Sequence, residues 1–378
     1  MKKNASRIIT IFFLCLMPLW MVLSEDVEFS DTENRYMASF PEITLTSVLN
    51  GDFMSGIETY LTDQFPVRDA CITLKTNTLR LFGQRKINGV YLADNGYLIA
   101  EEESFDDEKV MEMTDCINDF ADRLDGVEVR FMLVPNAVSI YEEKLPYGVK
   151  STQKNTIDMV EDRLGSNITA VDVYDTFKDN ASQQLYFKTD HHWTARGAYL
   201  AFLEYAKAAG LDTDSVEYDF MCVSGDFQGT QASNCGVYSS SDIVNICVPE
   251  NSRGSYIVNY IEKTEKTATL FDESKLKEKD KYLVFMGGNY PQVDVTTNAG
   301  TGRRLLVVKD SYANCMIPML TPYYDSIIVV DPRYYYDNIY DLIQSSGINE
   351  VMFLYNVNSY VTDNSLEDVL DNVPEGME

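Results

Sequence analysis

Arg304-Leu305-Leu306-Val307-Val308-Lys309-Asp310-Ser311-Tyr312-Ala313-Asn314 reads as a buried strand that turns almost at once into a helix. The strand, Arg304 to Val308, continues after its arginine as an unbroken run of leucine and valine, the pattern of a strand covered on both faces. The helix is expected over Tyr312 to Leu320. The alternation then repeats, with a strand at Ser326 to Val330, a helix at Asp337 to Gln344 and a strand at Glu350 to Tyr355. Strands alternating with helices predict a mainly parallel sheet between helical layers, a three-layer α/β sandwich.

Upstream, the same pattern begins near residue 106. Asp106 to Leu124 repeats apolar residues at helical spacing, and Val127 to Val134 reads as a buried strand ended by Pro135. A helix over Asn155 to Leu164 and a strand over Ala170 to Val173 follow. Ala195 to Ala209 is a helix with Thr194 as N-cap and Gly210 as C-cap. Residues 211–300 are richer in Ser, Gly, Asn and Thr, with short β-type runs such as Ser255 to Tyr260, and read as a β-rich insertion within an α/β domain spanning 106–378. Residues 25–105 form a separate N-terminal region, in which Asn88 to Leu92 and Asn95 to Ile99 predict a hairpin.

Lys2, Lys3 and Arg7 precede an apolar run from Ile8 to Leu23, and the chain then turns acidic at Glu25-Asp26. Basic flank and apolar run predict export, and no small-x-small cleavage pattern follows. Residues 1–24 are therefore expected to be an uncleaved signal anchor holding an extracytoplasmic protein at the membrane. The 378 residues carry 59 acidic against 31 basic side chains, a net charge of −28. Such a field repels phosphate backbones and argues against nucleic-acid binding. Seven cysteines, including Cys15 in the apolar run, show no CxxC or CxxH spacing, so a zinc ribbon is not expected.

In a parallel α/β sheet, active sites gather beyond the carboxyl ends of the strands. Ser311 stands there, at the start of a helix whose free N–H groups and dipole favour an oxyanion. A plain helix-capping serine is the alternative. The chain's two histidines lie together in Tyr186-Phe187-Lys188-Thr189-Asp190-His191-His192-Trp193-Thr194, immediately before another helix. Asp190 and His192, one residue apart, can face the same side. The carboxylate then orients one ring nitrogen while the other meets a nucleophile. His191 is expected to point away and act structurally. A metal site is disfavoured, since no further Cys, His or carboxylate joins the pair at ligand spacing.

These segments together resemble the DHHW family of exported bacterial proteins. The resemblance rests on Thr189 to Thr194 and Lys309 to Tyr312. It extends through Glu33-Asn34-Arg35, Asp63-Gln64-Phe65-Pro66-Val67-Arg68-Asp69, Asn88-Gly89-Val90-Tyr91, Val134-Pro135-Asn136 and Gly287-Gly288-Asn289-Tyr290-Pro291. The family is related to the alginate O-acetylation proteins, whose catalytic domain resembles a circularly permuted SGNH hydrolase. The resemblance implies a triad of Ser311 as nucleophile, His192 as base then acid, and Asp190 as orienting carboxylate, with no cofactor. The Ser311 N–H would serve the oxyanion hole, with Asn356, Asn314, Gly288 and Asn136 as candidate further donors. The implied activity is an O-acetyltransferase or acetylesterase on a cell-surface polysaccharide, the acetyl group coming from a membrane-bound acyltransferase. A non-enzymatic glycan-binding or assembly protein on the same fold is the competing expectation. Tyr323-Tyr324 and Tyr334-Tyr335-Tyr336 are candidate sugar-stacking faces, with core packing as their alternative.

Overall fold

A computed structural model describes residues 16–30, 35–250 and 255–374, in two compact units: 1–88 with 232–238, and 89–231 with 239–378. The second unit carries an eight-stranded sheet whose strands are β1 (Glu128–Val134), β2 (Ile168–Ala170), β3 (Ile257–Tyr260), β4 (Glu265–Thr267), β5 (Gln292–Thr296), β6 (Arg304–Lys309), β7 (Ser326–Val330) and β8 (Glu350–Asn356). Their spatial order is β4-β3-β5-β7-β6-β8-β1-β2. From β7 to β2 every pairing is parallel, whereas β5, β3 and β4 extend the sheet antiparallel.

The parallel strands are buried on both faces because their side chains alternate between two cores. Leu305, Val307, Ile327, Val329, Met352 and Leu354 enter one core. Leu306, Val308, Ile328, Val330, Val351 and Phe353 enter the other. Helices Ala195–Ala208 and Ala313–Leu320 supply the first core, and Asp107–Asp122, Gln153–Arg163 and Ile339–Ser346 supply the second. Helical layers therefore lie on both faces of one sheet. Thr194 caps its helix as its position predicts, accepting from the Gly197 N–H at 3.3 Å.

The stretch 211–300 divides its strands between two places. Among the described residues, Tyr218–Phe227 and Asp242–Pro249 pair only with each other, in an irregular antiparallel ribbon. The strands β3, β4 and β5 instead lengthen the main sheet. The strand expected at Ala170 to Val173 lies two residues earlier, at Ile168–Ala170, in register with Val129–Phe131. The hairpin forms between Val90–Leu92 and Leu98–Ala100.

In the first unit, helices Leu45–Asn50, Asp52–Asp63 and Arg68–Leu81 follow one another. Asp63 is buried against Arg35 at 2.6 Å, and the hydrogen bond from Arg35 draws its pKa down to about 2. Of the run expected to anchor the chain, the segment before residue 16 and the neighbouring Glu33-Asn34 lie outside the described residues. The remainder forms a short helix, Met17–Leu23, with Val22 and Leu23 exposed. Among the described residues no helix is long and apolar enough to cross a membrane. The six described cysteines are all free, Cys71 and Cys222 being exposed.

Candidate active site

Parallel pairing brings the carboxyl ends of β1, β8, β6 and β7 to one rim. At this rim β6 runs into Asp310-Ser311, β8 ends at Asn356, and β1 leads to Pro135-Asn136. Asp310 joins two of these ends: one carboxylate oxygen accepts the Tyr312 N–H at 2.8 Å, and the other accepts the Asn356 N–H at 2.8 Å. Burial pushes the Asp310 pKa up, opposed by the N–H groups of Asn356 and Tyr312.

The histidine loop reaches the same rim as a small hairpin. Tyr186 bridges to Trp193, and the Phe187 N–H donates to the His192 carbonyl at 3.2 Å. The Tyr186 hydroxyl donates to the Pro135 carbonyl beyond β1, and the Trp193 indole N–H donates to the Tyr312 carbonyl at 2.9 Å. These bonds tie the loop to both β1 and the turn after β6.

Asp190, His192 and Ser311 form one row. Asp190 Oδ1 lies 2.6 Å from His192 Nδ1, and His192 Nε2 lies 2.8 Å from Ser311 Oγ. Asp190 is 3% exposed and His192 6%. Burial raises the Asp190 pKa, but His191, His192 and hydrogen bonds from His192 and Thr230 outweigh it and hold the carboxyl well below the usual range. An ionised carboxylate can only accept, so His192 Nδ1 carries the proton and Nε2 offers its lone pair to the Ser311 hydroxyl. Ser311 does not cap the helix. That helix starts at Ala313 behind Tyr312 and has no side-chain cap.

Neighbours fix the row. Tyr282 stacks on the His192 ring at 3.6 Å and 9°, while its hydroxyl donates toward the carbonyls of Ser311 and Tyr312 at 3.1 and 3.3 Å. His191 does not point away as expected. Its ring lies 3.8 Å from that of His192. The reason is Thr230, whose Oγ1 sits 2.8 Å from His191 Nδ1 and draws the ring back over the site. Thr230, Tyr282 and Asp242 carry no sequence signal, and each reaches the site from far along the chain. Asp242 accepts the N–H groups of Lys188 and Thr189 at 2.9 and 2.8 Å and so fixes the strand leading to Asp190.

The expected asparagine donors are already committed to protein acceptors. Asn356 Nδ2 donates to Asp310 at 2.5 Å and Ser359 at 2.7 Å. Asn136 Nδ2 donates to Tyr312 Oη at 3.1 Å and Asn356 Oδ1 at 2.9 Å. Asn314 Nδ2 donates to the Gly288 carbonyl at 3.3 Å and Asn289 Oδ1 at 3.0 Å. All three build the rim, because a buried amide is paired wherever the fold can pair it. Among the described residues, the N–H groups of Ser311 and Gly288 donate to no acceptor. Gly288 ends a run of positive φ, with Met286 at 63°, Gly287 at 73° and Gly288 at 129°. Of the three only Met286, buried and not a glycine, is strained by its positive φ, and the surrounding packing has to hold it there.

One ligand atom each from Asp190, His191 and His192 could be grouped within 4.8 Å. Both ring nitrogens of His192 are already engaged, Nδ1 with Asp190 and Nε2 with Ser311, so a cation taking His192 would have to break the row. The donor set does not fit a metal centre. Of the tyrosine clusters, Tyr323, Tyr324 and Tyr335 are buried in the cores, while Tyr334 and Tyr336 are exposed.

The sequence matches the DHHW protein family over residues 33–92 and 88–330. The chain belongs to the DHHW family. Its structure is similar to that of a DHHW family protein from Eubacterium siraeum DSM 15702, with 23% identity, 75% of this chain and 95% of that one covered, and a TM-score of 0.64. It is also similar to Bacillus cereus PatB1 carrying a sulfonyl adduct, at 21% identity with 74% of this chain and 98% of that one covered, and a TM-score of 0.63. No curated protein matches the chain. At such identities the likeness is one of fold. In this DHHW protein the motif Asp190-His191-His192-Trp193 provides the carboxylate, two imidazoles and the indole that fastens the loop to Tyr312.

Proposed function

We propose that the protein is an extracytoplasmic serine acyl-ester enzyme, an O-acetyltransferase or acetylesterase acting on a cell-surface polysaccharide. The observation that supports this reading above all is the unbroken row from Asp190 through His192 to Ser311 at the end of a central strand. Ser311 Oγ attacks the acyl carbonyl and gives its proton to His192 Nε2, and Asp190 stabilises the imidazolium. The free N–H of Ser311 and that of Gly288, on the strained loop, are the oxyanion donors. His192 then protonates the leaving oxygen, and the acyl group remains on Ser311 as an ester. In the second half-reaction a sugar hydroxyl or water gives its proton to His192 and takes the acyl group, restoring the serine. The acetyl group is supplied by a membrane-bound acyltransferase, with the protein held at the membrane through its N-terminal segment.

A sulfonyl adduct has been captured on Bacillus cereus PatB1, and the same class of reagent probes Ser311. Incubation with 4-nitrophenyl acetate, followed by intact mass measurement, is expected to show one acetyl group per chain. A sulfonyl fluoride is expected to block it. Retained acylation in Ser311→Ala would remove the nucleophile assignment. Absence of any acylation in the native protein, with glycan binding intact, would favour the binding-protein reading.

A further inference from the structure

A cleft of about 240 Å³ opens at the carboxyl ends of β1 and β8, lined by Ile99, Glu103, Val138, His191, Gln231 and Asn358 among others. It lies where the sheet reverses its growth: β1 leads outward to β2, whereas β6 leads the opposite way to β7. Such crevices are the usual ligand sites of open α/β sheets. Tyr282 and His191 both lie within ring-contact distance of His192, at 3.6 and 3.8 Å, so they cover opposite faces of it. The cleft is on the His191 side.

Hydrogen positions in this corner follow from counting. Thr230 Oγ1 lies 2.5 Å from Asp190 Oδ2, and an ionised carboxylate cannot donate, so the single hydroxyl hydrogen of Thr230 goes to Asp190. The 2.8 Å contact between His191 Nδ1 and Thr230 Oγ1 must then be an N–H donating to the hydroxyl oxygen. Burial, with His192 beside it, draws the His191 pKa down to about 4. The ring is therefore neutral, and its Nε2 is a bare acceptor with no donor among the described residues. Gln231, 5% exposed, also lines the cleft, and its buried Oε1 has no partner. A buried acceptor without a donor, as at Gln231 Oε1, is costly unless a ligand supplies one, while His191, with 37% of its side chain exposed, is open to the cleft. No lysine or arginine lines the cleft, so nothing there recruits an anion.

We infer that this cleft is the subsite for a hydroxyl-rich glycan acceptor, with His191 Nε2 and Gln231 Oε1 receiving hydrogen bonds from sugar hydroxyls other than the one that reacts. The inference rests on the acyl-ester reading above. The reacting hydroxyl still delivers its proton to His192 Nε2 as the Ser311 ester breaks; His191 and Gln231 are positioning residues that hold the sugar for this step.

The test is a partition experiment. The full chain is acylated with 4-nitrophenyl acetate in the presence of methyl β-glucopyranoside, cellotetraose or chitotetraose, and acetyl transferred to sugar is compared with acetate released to water. His191→Phe keeps a ring against His192 but removes Nε2, and Gln231→Leu keeps the shape but removes the amide. In each, the sugar-to-water ratio is expected to fall about 10-fold or more. An unchanged ratio in both variants overturns the subsite. Ser311-dependent acylation with no transfer to any of the three sugars in the native protein also overturns it, while the esterase reading stands. If acylation proves independent of Ser311, the acyl-ester reading fails on its own. The subsite is then decided by saturation-transfer NMR of the tetrasaccharides. Signals lost in the double variant support it, and signals retained overturn it.

Discussion

Thr230 holds Asp190 from the side opposite His192. Its N–H and hydroxyl donate to Asp190 Oδ2 at 2.8 and 2.5 Å, leaving Oδ1 to face His192 Nδ1 at 2.6 Å. The carboxylate thus cannot rotate without losing charge-assisted bonds. Thr230→Val, which keeps the shape and the N–H, is expected to lower the acylation rate about 10- to 100-fold. Asp190→Asn, which permits the wrong imidazole tautomer, is expected to lower it by about 10⁴. Stopped-flow nitrophenol release measures both. Equal losses in the two variants would contradict the division of roles.

Gly229 allows this approach. A Cβ at Gly229 would sit 2.3 Å from both Cβ and Oδ2 of Asp190, inside contact distance. Gly229→Ala must therefore push the carboxylate away from His192, with an acylation loss of about 10²-fold and a stability cost of about 1–3 kcal/mol. Gly225→Ala is the control, since a Cβ there meets nothing within 4 Å, and its rate and melting temperature are expected to stay native. A native rate in Gly229→Ala would show that the row tolerates displacement.

The parallel strands were legible because burial on both faces leaves an uninterrupted apolar run, as in Leu305-Leu306-Val307-Val308. The site's two halves were legible for a related reason: Ser311 directly follows such a run, and Asp190 and His192 are sequence neighbours. What the sequence did not disclose is long-range. The fate of Ile257–Tyr260 and Gln292–Thr296, strands that extend the main sheet, depends on antiparallel partners far along the chain. Thr230 and Tyr282 meet the histidines across 39 and 90 residues, and no local periodicity encodes such contacts. The asparagines' partners could not be read locally, for a physical reason. Side-chain amides near an active site can serve either substrate or scaffold, and only the observed acceptors of Asn136, Asn314 and Asn356 distinguish the two.

Lys309 supports the strained loop from beneath. It is 1% exposed, and its Nζ donates to Asn289 Oδ1 at 2.8 Å and Asp331 Oδ2 at 3.1 Å. Burial lowers its pKa, with Asp331 opposing that fall. Lys309→Met removes one of the two donors to Asn289 Oδ1, the other being Asn314 Nδ2 at 3.0 Å, and leaves Asp331 to Arg333 at 2.6 Å. With that second cation in place, the expected cost is about 1–3 kcal/mol, below the ~3–5 kcal/mol of a fully orphaned buried charge. Urea unfolding checks this value. The acylation rate should fall with it, since the loop carrying the Gly288 N–H is then held by Asn314 alone of these two donors. A normal rate in a destabilised variant would separate the loop from the oxyanion role.

Asp280 gives the site a measurable pH signature. Burial first, then repulsion from Asp190, raises its pKa from 3.8 to about 6, with His191 opposing the shift. Its Oδ1 accepts the N–H of Tyr282, the residue stacked on His192, at 3.1 Å. A carboxyl whose folded pKa exceeds its unfolded value binds its proton more tightly in the native state. Stability from this group is therefore present at pH 3.8 and below and is lost as the pH rises toward about 6. Asp280→Asn keeps the acceptor for Tyr282 but has no charge to bury. Native and variant proteins should be equally stable near pH 4, and the variant more stable by about 1–2 kcal/mol above pH 6. Differential scanning calorimetry across this window decides it. A gap that closes rather than opens with rising pH would mean that a cation outweighs burial and Asp190 in the surroundings of Asp280.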